Sequence, residues 1–394
     1  MKTQTVTPKI SLSIDNCFLS KRYTLPADWT GIINDLGIKL IEASADTECD
    51  PLYTGKRYIR KWKKDVMAAC RNSGTKVVNL YSGHGTYATL GLSHTDRCVS
   101  KRIKNKWIIR QVETASSLDA GLGFFTHAFD MSVLENVAAY RNTMNQLIND
   151  LSDVALYCKE RGVCAGVEQM YTPHQPPWTV SGAENMLRDI YRYGAPLYIT
   201  LDTGHMSLQS KWVKPNIETI EWAIIEKDES IWLGTECAYS LFLKALESPA
   251  LAAAAKAKEI LKVIEEYDYL FCESSDAEIY NWIEKLVAYS PIVHLQQTDG
   301  KASAHLSFTA MNNASGLIQP KKLFKAIAKA YSKPVDKTLP ERCEHIFLTL
   351  EPFIATAGNI HEELLNIKES VNYWRVYIPE DGMPLETILK RISE

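Results

Sequence analysis

The feature that most restricts this chain is a unit that recurs along most of its length. An amphipathic helix is followed by a glycine or polar stop, then by a short β-rich run ending in polar residues. The unit first occurs at Pro26–Leu36, where Trp29, Ile32, Ile33 and Leu36 recur at helical spacing. Pro26 suits a first helical turn, where its missing N–H costs nothing, and Gly37 suits the position that ends a helix. Ile38–Glu42 then reads as a strand running into the polar loop ASADTECD. The unit returns at Val66–Cys70, Gly74 and Val77–Leu80, and again at Leu151–Lys159, Gly162 and Cys164–Gln169. Met186–Tyr193, Gly194 and Leu197–Leu201 form another copy. Ile279–Tyr289 leads to Ile292–Gln296, and Leu323–Tyr331 leads by a longer connection to Ile346–Glu351. Each helix can bury one stripe, while each strand carries side chains to both faces. Helices outside a closed parallel sheet satisfy both demands.

Eight strands fit such a closure: Ile10–Ile14, Ile38–Glu42, Val77–Leu80, Gly121–Ala128, Ala165–Gln169, Leu197–Leu201, Ile292–Leu295 and Phe347–Glu351. The expected fold is therefore an α/β (β/α)8 TIM barrel. The fourth strand is the least regular, because it contains Gly121 and Gly123. An open doubly wound sheet is the alternative, but no glycine-rich dinucleotide fingerprint follows the first strand, and Gly83–Gly85 is too short to be one. The interval Met206–Asp276 is too long for an ordinary connection. Its helical runs, Ile217–Ile225 and Leu251–Tyr267, read as a largely helical insertion after strand six of a single domain, Met1–Glu394. At the active-site end, this insertion would serve as a substrate cover or a subunit contact in a homo-oligomer. The aromatic stretch VNYWRVYI near the C-terminus is a second candidate contact.

The bulk properties agree. At 46% hydrophobic and 23% charged, the chain can fill a substantial core. A net charge of -3 argues against a broad nucleic-acid surface. No run approaches about 18 uninterrupted apolar residues, so no membrane span is expected. The N-terminus lacks the apolar region of a signal peptide. Nine cysteines without a framework suit a reducing, cytoplasmic setting.

The polar ends of the strands carry the chemistry. Glu168 ends AGVE, Asp202 follows YITL, His294 lies in PIVHLQQ, and Glu351 follows FLTL. In an α/β barrel, the carboxyl ends of the strands converge on one face. Each residue alone is ordinary; a strand-end glutamate more often pairs with a cation or with water. Together, three converging carboxylates would repel one another and resist burial unless a divalent cation compensated them. His294 would add a neutral nitrogen. Zinc, manganese and cobalt all accept this donor set.

These segments resemble the xylose-isomerase-like TIM-barrel superfamily, especially its ketose 3-epimerases and related sugar isomerases. GVEQM, LDTGH, IVHLQQTDG and LTLEPF resemble, in that order, four metal-bearing strands of the family. The resemblance runs from Ile10 to about Glu351 and leaves out much of Met206–Asp276. It implies one divalent metal, with manganese expected ahead of cobalt, magnesium or zinc, held by Glu168, Asp202, His294 and Glu351. It also implies a small ketose or ketose phosphate as substrate, isomerised or epimerised through an enediolate. Glu168 and Glu351 would transfer the protons. His205 would contact a substrate oxygen or support the proton movement, or else orient Asp202.

Around this centre the candidate sugar contacts are His84, His127, His174, Trp178, Gln296, Asp299 and His305. Glu42 and Asp46 end strand two, and Tyr81 follows strand three. Gln296 and Gln297 depart from the family pattern, where a more acidic companion to the histidine is expected. Lys301 would hold a phosphate, or be plain surface charge. The competing functions are a metal-dependent endonuclease, which needs a multi-metal centre beside a basic groove, and a sugar-binding barrel that has lost turnover.

Overall fold

A computed structural model describes residues 7–20, 22–83, 90–247 and 250–393. All eight expected strands form: β1 (Lys9–Asp15), β2 (Leu40–Ser44), β3 (Lys76–Ser82), β4 (Gly121–Phe124), β5 (Ala165–Glu168), β6 (Tyr198–Asp202), β7 (Ile292–Leu295) and β8 (His345–Leu350). They pair in parallel in sequence order, and β1 closes the ring by pairing with both β8 and β2. A two-residue strand, Met383–Pro384, adds antiparallel to the start of β1.

Where the boundaries differ from the sequence reading, the backbone explains it. Gly37, at φ 92°, and Ile38 close the preceding helix by hydrogen bonds back to Asn34 and Ile33, so β2 begins at Leu40. Beyond Phe124 the chain turns away, with His127 at φ 67°, so β4 ends four residues earlier than Ala128.

Both faces of the strands are buried, as a closed barrel requires. One face of β1 carries Ile10, Leu12 and Ile14, and the other carries Ser11, Ser13 and Asp15, all six fully buried. The apolar set joins Ile41, Leu80, Leu122, Val167, Leu201, Val293 and Leu348 in one core with helix residues Trp29, Ile33, Val66, Val154, Leu187, Ile283 and Ile327. The alternate residues point to the barrel axis, where Ser13 and Thr349 hydroxyls meet at 2.7 Å. Strand alternation thus sends Glu42, Asn79, Tyr81, Glu168, Asp202 and His294 inward.

The glycines of β4 have a packing role. A Cβ at position 121 would lie 2.5 Å from Asn79 Oδ1, and one at 123 would lie 2.7 Å from Tyr81 Cδ2. Gly121 and Gly123 therefore leave the axis open for two large side chains of the neighbouring strand. That space positions the site.

Segment 206–276 contains the helices Ile217–Glu226, Glu236–Leu246 and Ala253–Glu266, with short 3-10 turns between and after them. It leans on the loop after β4, where the Tyr269 hydroxyl donates to the Leu134 carbonyl at 2.7 Å. All nine cysteines are free. Among the described residues no helix is long and apolar enough to cross a membrane.

Candidate metal centre

Glu168 ends β5, Asp202 ends β6, His294 lies in β7 and Glu351 follows β8. One ligand atom from each lies within 4.8 Å of the others, and all four side chains are buried. Register accounts for the convergence. Asp202 is the direct strand neighbour of His294, which in turn pairs with Thr349, two residues before Glu351.

Each donor is held from behind. His294 Nε2 lies 2.7 Å from Glu42 Oε1. Its Nδ1 faces Glu168 Oε1 at 3.3 Å and Glu351 Oε1 at 3.6 Å. The Asn79 amide donates to the other oxygen of Glu42. The Tyr81 hydroxyl donates to Glu168 Oε2, and its ring stands edge-on to His294 with centroids 4.8 Å apart. Gln296 donates through Nε2 to both oxygens of Asp202, at 2.8 and 2.9 Å. The Gly204 N–H adds a bond of 2.6 Å to Asp202 Oδ1. His305 Nδ1 lies 3.3 Å from Glu351 Oε2, with its ring 4.0 Å from that of Phe353.

The electrostatics follow from burial. Burial, together with the Glu351 and Glu168 charges, pushes the Asp202 carboxyl up to about 6 against the pull of His205 and His294. Burial also opposes charging of His294, but the surrounding carboxylates outweigh it and hold the imidazole well above its ordinary value. A single imidazolium cannot balance four buried carboxylates, Glu42 included. A divalent cation at their focus offsets twice as much of that charge, and three carboxylates with one imidazole are a donor set that such ions accept. The residues fit one divalent metal.

The remaining sequence candidates divide. His305 stands beside Glu351. His205 donates through Nδ1 to the Gln169 carbonyl at 2.8 Å and faces Asp202 Oδ2 with Nε2 at 3.5 Å, so its place is behind that ligand. Gln296 was expected to meet sugar. Its amide nitrogen serves Asp202, and its oxygen accepts the His305 N–H at 2.8 Å and the Ser303 hydroxyl at 3.3 Å. His127 is only 1% exposed, between the rings of Phe125 and Trp107, and burial pushes its pKa down to about 4.

His174 is half-buried, and its carbonyl accepts the Phe129 N–H at 2.7 Å, tying together the loops after β4 and β5. Trp178 is buried in a cavity it shares with Tyr140, Pro177, Tyr269 and Phe271, whose lining includes none of the four cluster residues. Asp299 is exposed and pairs at 3.3 Å with Lys301, itself an exposed surface charge. His84 lies outside the described residues.

Sequence reasoning placed Glu42 and Tyr81 near the centre but gave neither a role, and it overlooked Asn79. Glu42 carried a usable signal, since in the sequence it closes an apolar run as Glu168 does. Asn79 carried none.

No family model matches the chain. A stretch of 124 residues, 31% of the chain, is 34% identical to the D-erythrulose 1-phosphate 3-epimerase of Brucella abortus (strain 2308). The chain spans 36% of the length of that curated relative. Solved structures match over nearly the whole chain. A provisionally assigned xylose isomerase from Rhodospirillum rubrum ATCC 11170 superposes with a TM-score of 0.65 at 16% identity, covering 92% of this chain and 97% of that one. An L-ribulose 3-epimerase gives 0.56 at 15% identity, covering 98% and 97%. The D-allulose 3-epimerase of Methylomonas sp., in complex with D-allulose, gives 0.56 at 10% identity, covering 94% and 98%. The chain has the xylose isomerase-like TIM-barrel fold found among ketose 3-epimerases.

Proposed function

We propose that this protein is a divalent-metal-dependent isomerase or epimerase of a small ketose or ketose phosphate. The observation that carries the reading is the convergence of Glu168, Asp202, His294 and Glu351 within 4.8 Å at the carboxyl ends of the strands. The names of the similar proteins support the substrate class, and the Brucella relative favours a phosphorylated ketose. Manganese is the proposed ion.

Glu168 and Glu351 stand on strands three apart around the ring, so a small sugar between them presents a different face to each. One carboxylate removes the proton on the carbon beside the carbonyl, and the other delivers a proton back. A cation bound by the four residues would polarise that carbonyl and offset the negative charge that builds on the sugar oxygens. Tyr81 fixes the orientation of Glu168, while His305 occupies the equivalent place beside Glu351. Gln296 and Gly204 hold Asp202, and His205 stands beside it.

The test is an isomer-resolved assay of a ketose and ketose-phosphate panel with Mn2+, Co2+, Mg2+ or Zn2+ added to chelator-treated protein. The reading expects metal-dependent interconversion of at least one epimer or aldose–ketose pair. Metal binding at one equivalent without turnover anywhere in the panel would count against it.

A further inference from the structure

Resting on the metal reading above, we propose that Glu42 and Asn79 are positioning residues. Together they fix the His294 tautomer, so that Nδ1 is the nitrogen offered to the ion. His294 has two nitrogens in different company. Nε2 is 2.7 Å from Glu42 Oε1, whereas Nδ1 looks onto Glu168 and Glu351. A carboxylate accepts and does not donate, so once a cation takes the Nδ1 lone pair the remaining ring proton sits on Nε2, against Glu42. A histidine ligand oriented through its second nitrogen by a carboxylate is a recurrent metal-site device.

Glu42 can serve only if its own orientation is fixed, and a fold-level feature does this. The β2–β3 register slips between Ile41 and Glu42: Ile41 pairs with Val77, but Glu42 pairs with Asn79. The extra residue brings Asn79 opposite Glu42, within reach of its second oxygen. On the far side, Gly121 provides the room that the Asn79 amide occupies. Glu42 is fully buried, so removing either partner leaves a buried polar group without its native hydrogen bond. The chain therefore runs from a strand irregularity, through an amide and a carboxylate, to one nitrogen of one ligand.

The experiment is a Mn2+ titration of chelator-treated protein, with free ion counted by electron paramagnetic resonance. The variants are Glu42→Gln, Glu42→Ala and Asn79→Leu. Nitrogen NMR of histidine-labelled protein loaded with diamagnetic Zn2+ gives the ring tautomer independently of activity. The expected result is an Nε2-protonated His294 in the parent protein and Mn2+ binding weakened roughly 10- to 100-fold in the variants. Cooperative unfolding of each variant shows that the weakening is not loss of fold. If Glu42→Ala does not fold, Glu42→Gln and Asn79→Leu still decide. Unchanged Mn2+ affinity in the folded variants, or a Zn2+-loaded parent whose His294 carries its proton on Nδ1, overturns the inference and leaves the metal reading standing. A parent protein that binds no Mn2+ overturns both.

Discussion

In the proposed reaction Glu168 and Glu351 are at once ligands and proton carriers, so their substitution tests two things that must be measured together. Glu168→Gln and Glu351→Gln are each expected to lower turnover by about 10²- to 10⁴-fold, the range for losing a positioned acid–base group. Metal content measured on the same samples separates a lost ligand from a lost proton carrier. Unchanged turnover in both would remove the proposed pair. A different buried carboxylate gives a pH prediction away from the centre. Glu48 accepts the Trp62 indole N–H at 3.0 Å, and burial pushes its pKa up to about 7. The folded state therefore holds a proton that the unfolded chain releases near the ordinary value of 4.5. Its contribution to stability is complete below that value and is lost as pH rises through about 7. Glu48→Gln keeps an acceptor for Trp62 without the charge, so its stability advantage grows between pH 5 and pH 8, approaching about 3 kcal/mol. Thermal unfolding of both proteins across that range checks it; a pH-independent difference would refute the assignment.

At the scale of elements, what was legible in the sequence follows from periodicity. Helices that bury one stripe and strands that end in polar residues announced all eight strands. Because strand alternation is strict, they also announced which strand-end side chains share the axis. The four cluster residues were readable for that reason. What was hidden depends on pairing between strands. The slip at Ile41/Glu42 leaves no mark on either strand alone, so neither the partnership of Glu42 with Asn79 nor its link to His294 could be foreseen. The bond of the Gln296 amide to Asp202 was hidden too, because it reaches sideways from the end of β7 to β6. The glycines of β4 looked like a weakness in a strand and prove to be clearance for Asn79 and Tyr81. Gly123→Ala places a methyl 2.7 Å from the Tyr81 ring, which packs among buried neighbours. It is expected to cost about 1–3 kcal/mol and to weaken Mn2+ binding by moving the hydroxyl that holds Glu168. Denaturant unfolding and metal titration read the two effects; normal values for both would show that β4 tolerates the methyl.

For the whole molecule, the barrel gathers charges that no single element could keep. Glu42, Glu168, Asp202 and Glu351 come from four different strands or their ends and are all buried near one axis. Each would be expensive to bury unbalanced, and folding brings them together regardless. A bound divalent ion belongs only to the folded state, so it raises stability in proportion to its affinity and concentration. The same ion links fold to chemistry, because the carboxylates that hold it flank the space where a sugar would lie. The central claim is therefore proton transfer at a sugar carbon by a metal-loaded barrel. Its most direct test is incubation of the loaded protein with ketose 1-phosphates and free ketoses in D2O, followed by NMR of the recovered sugars. The account predicts solvent deuterium at the carbon beside the carbonyl, together with the epimer or isomer, and loss of both on chelation. Recovery of every sugar without deuterium, from protein carrying one equivalent of metal, would contradict it.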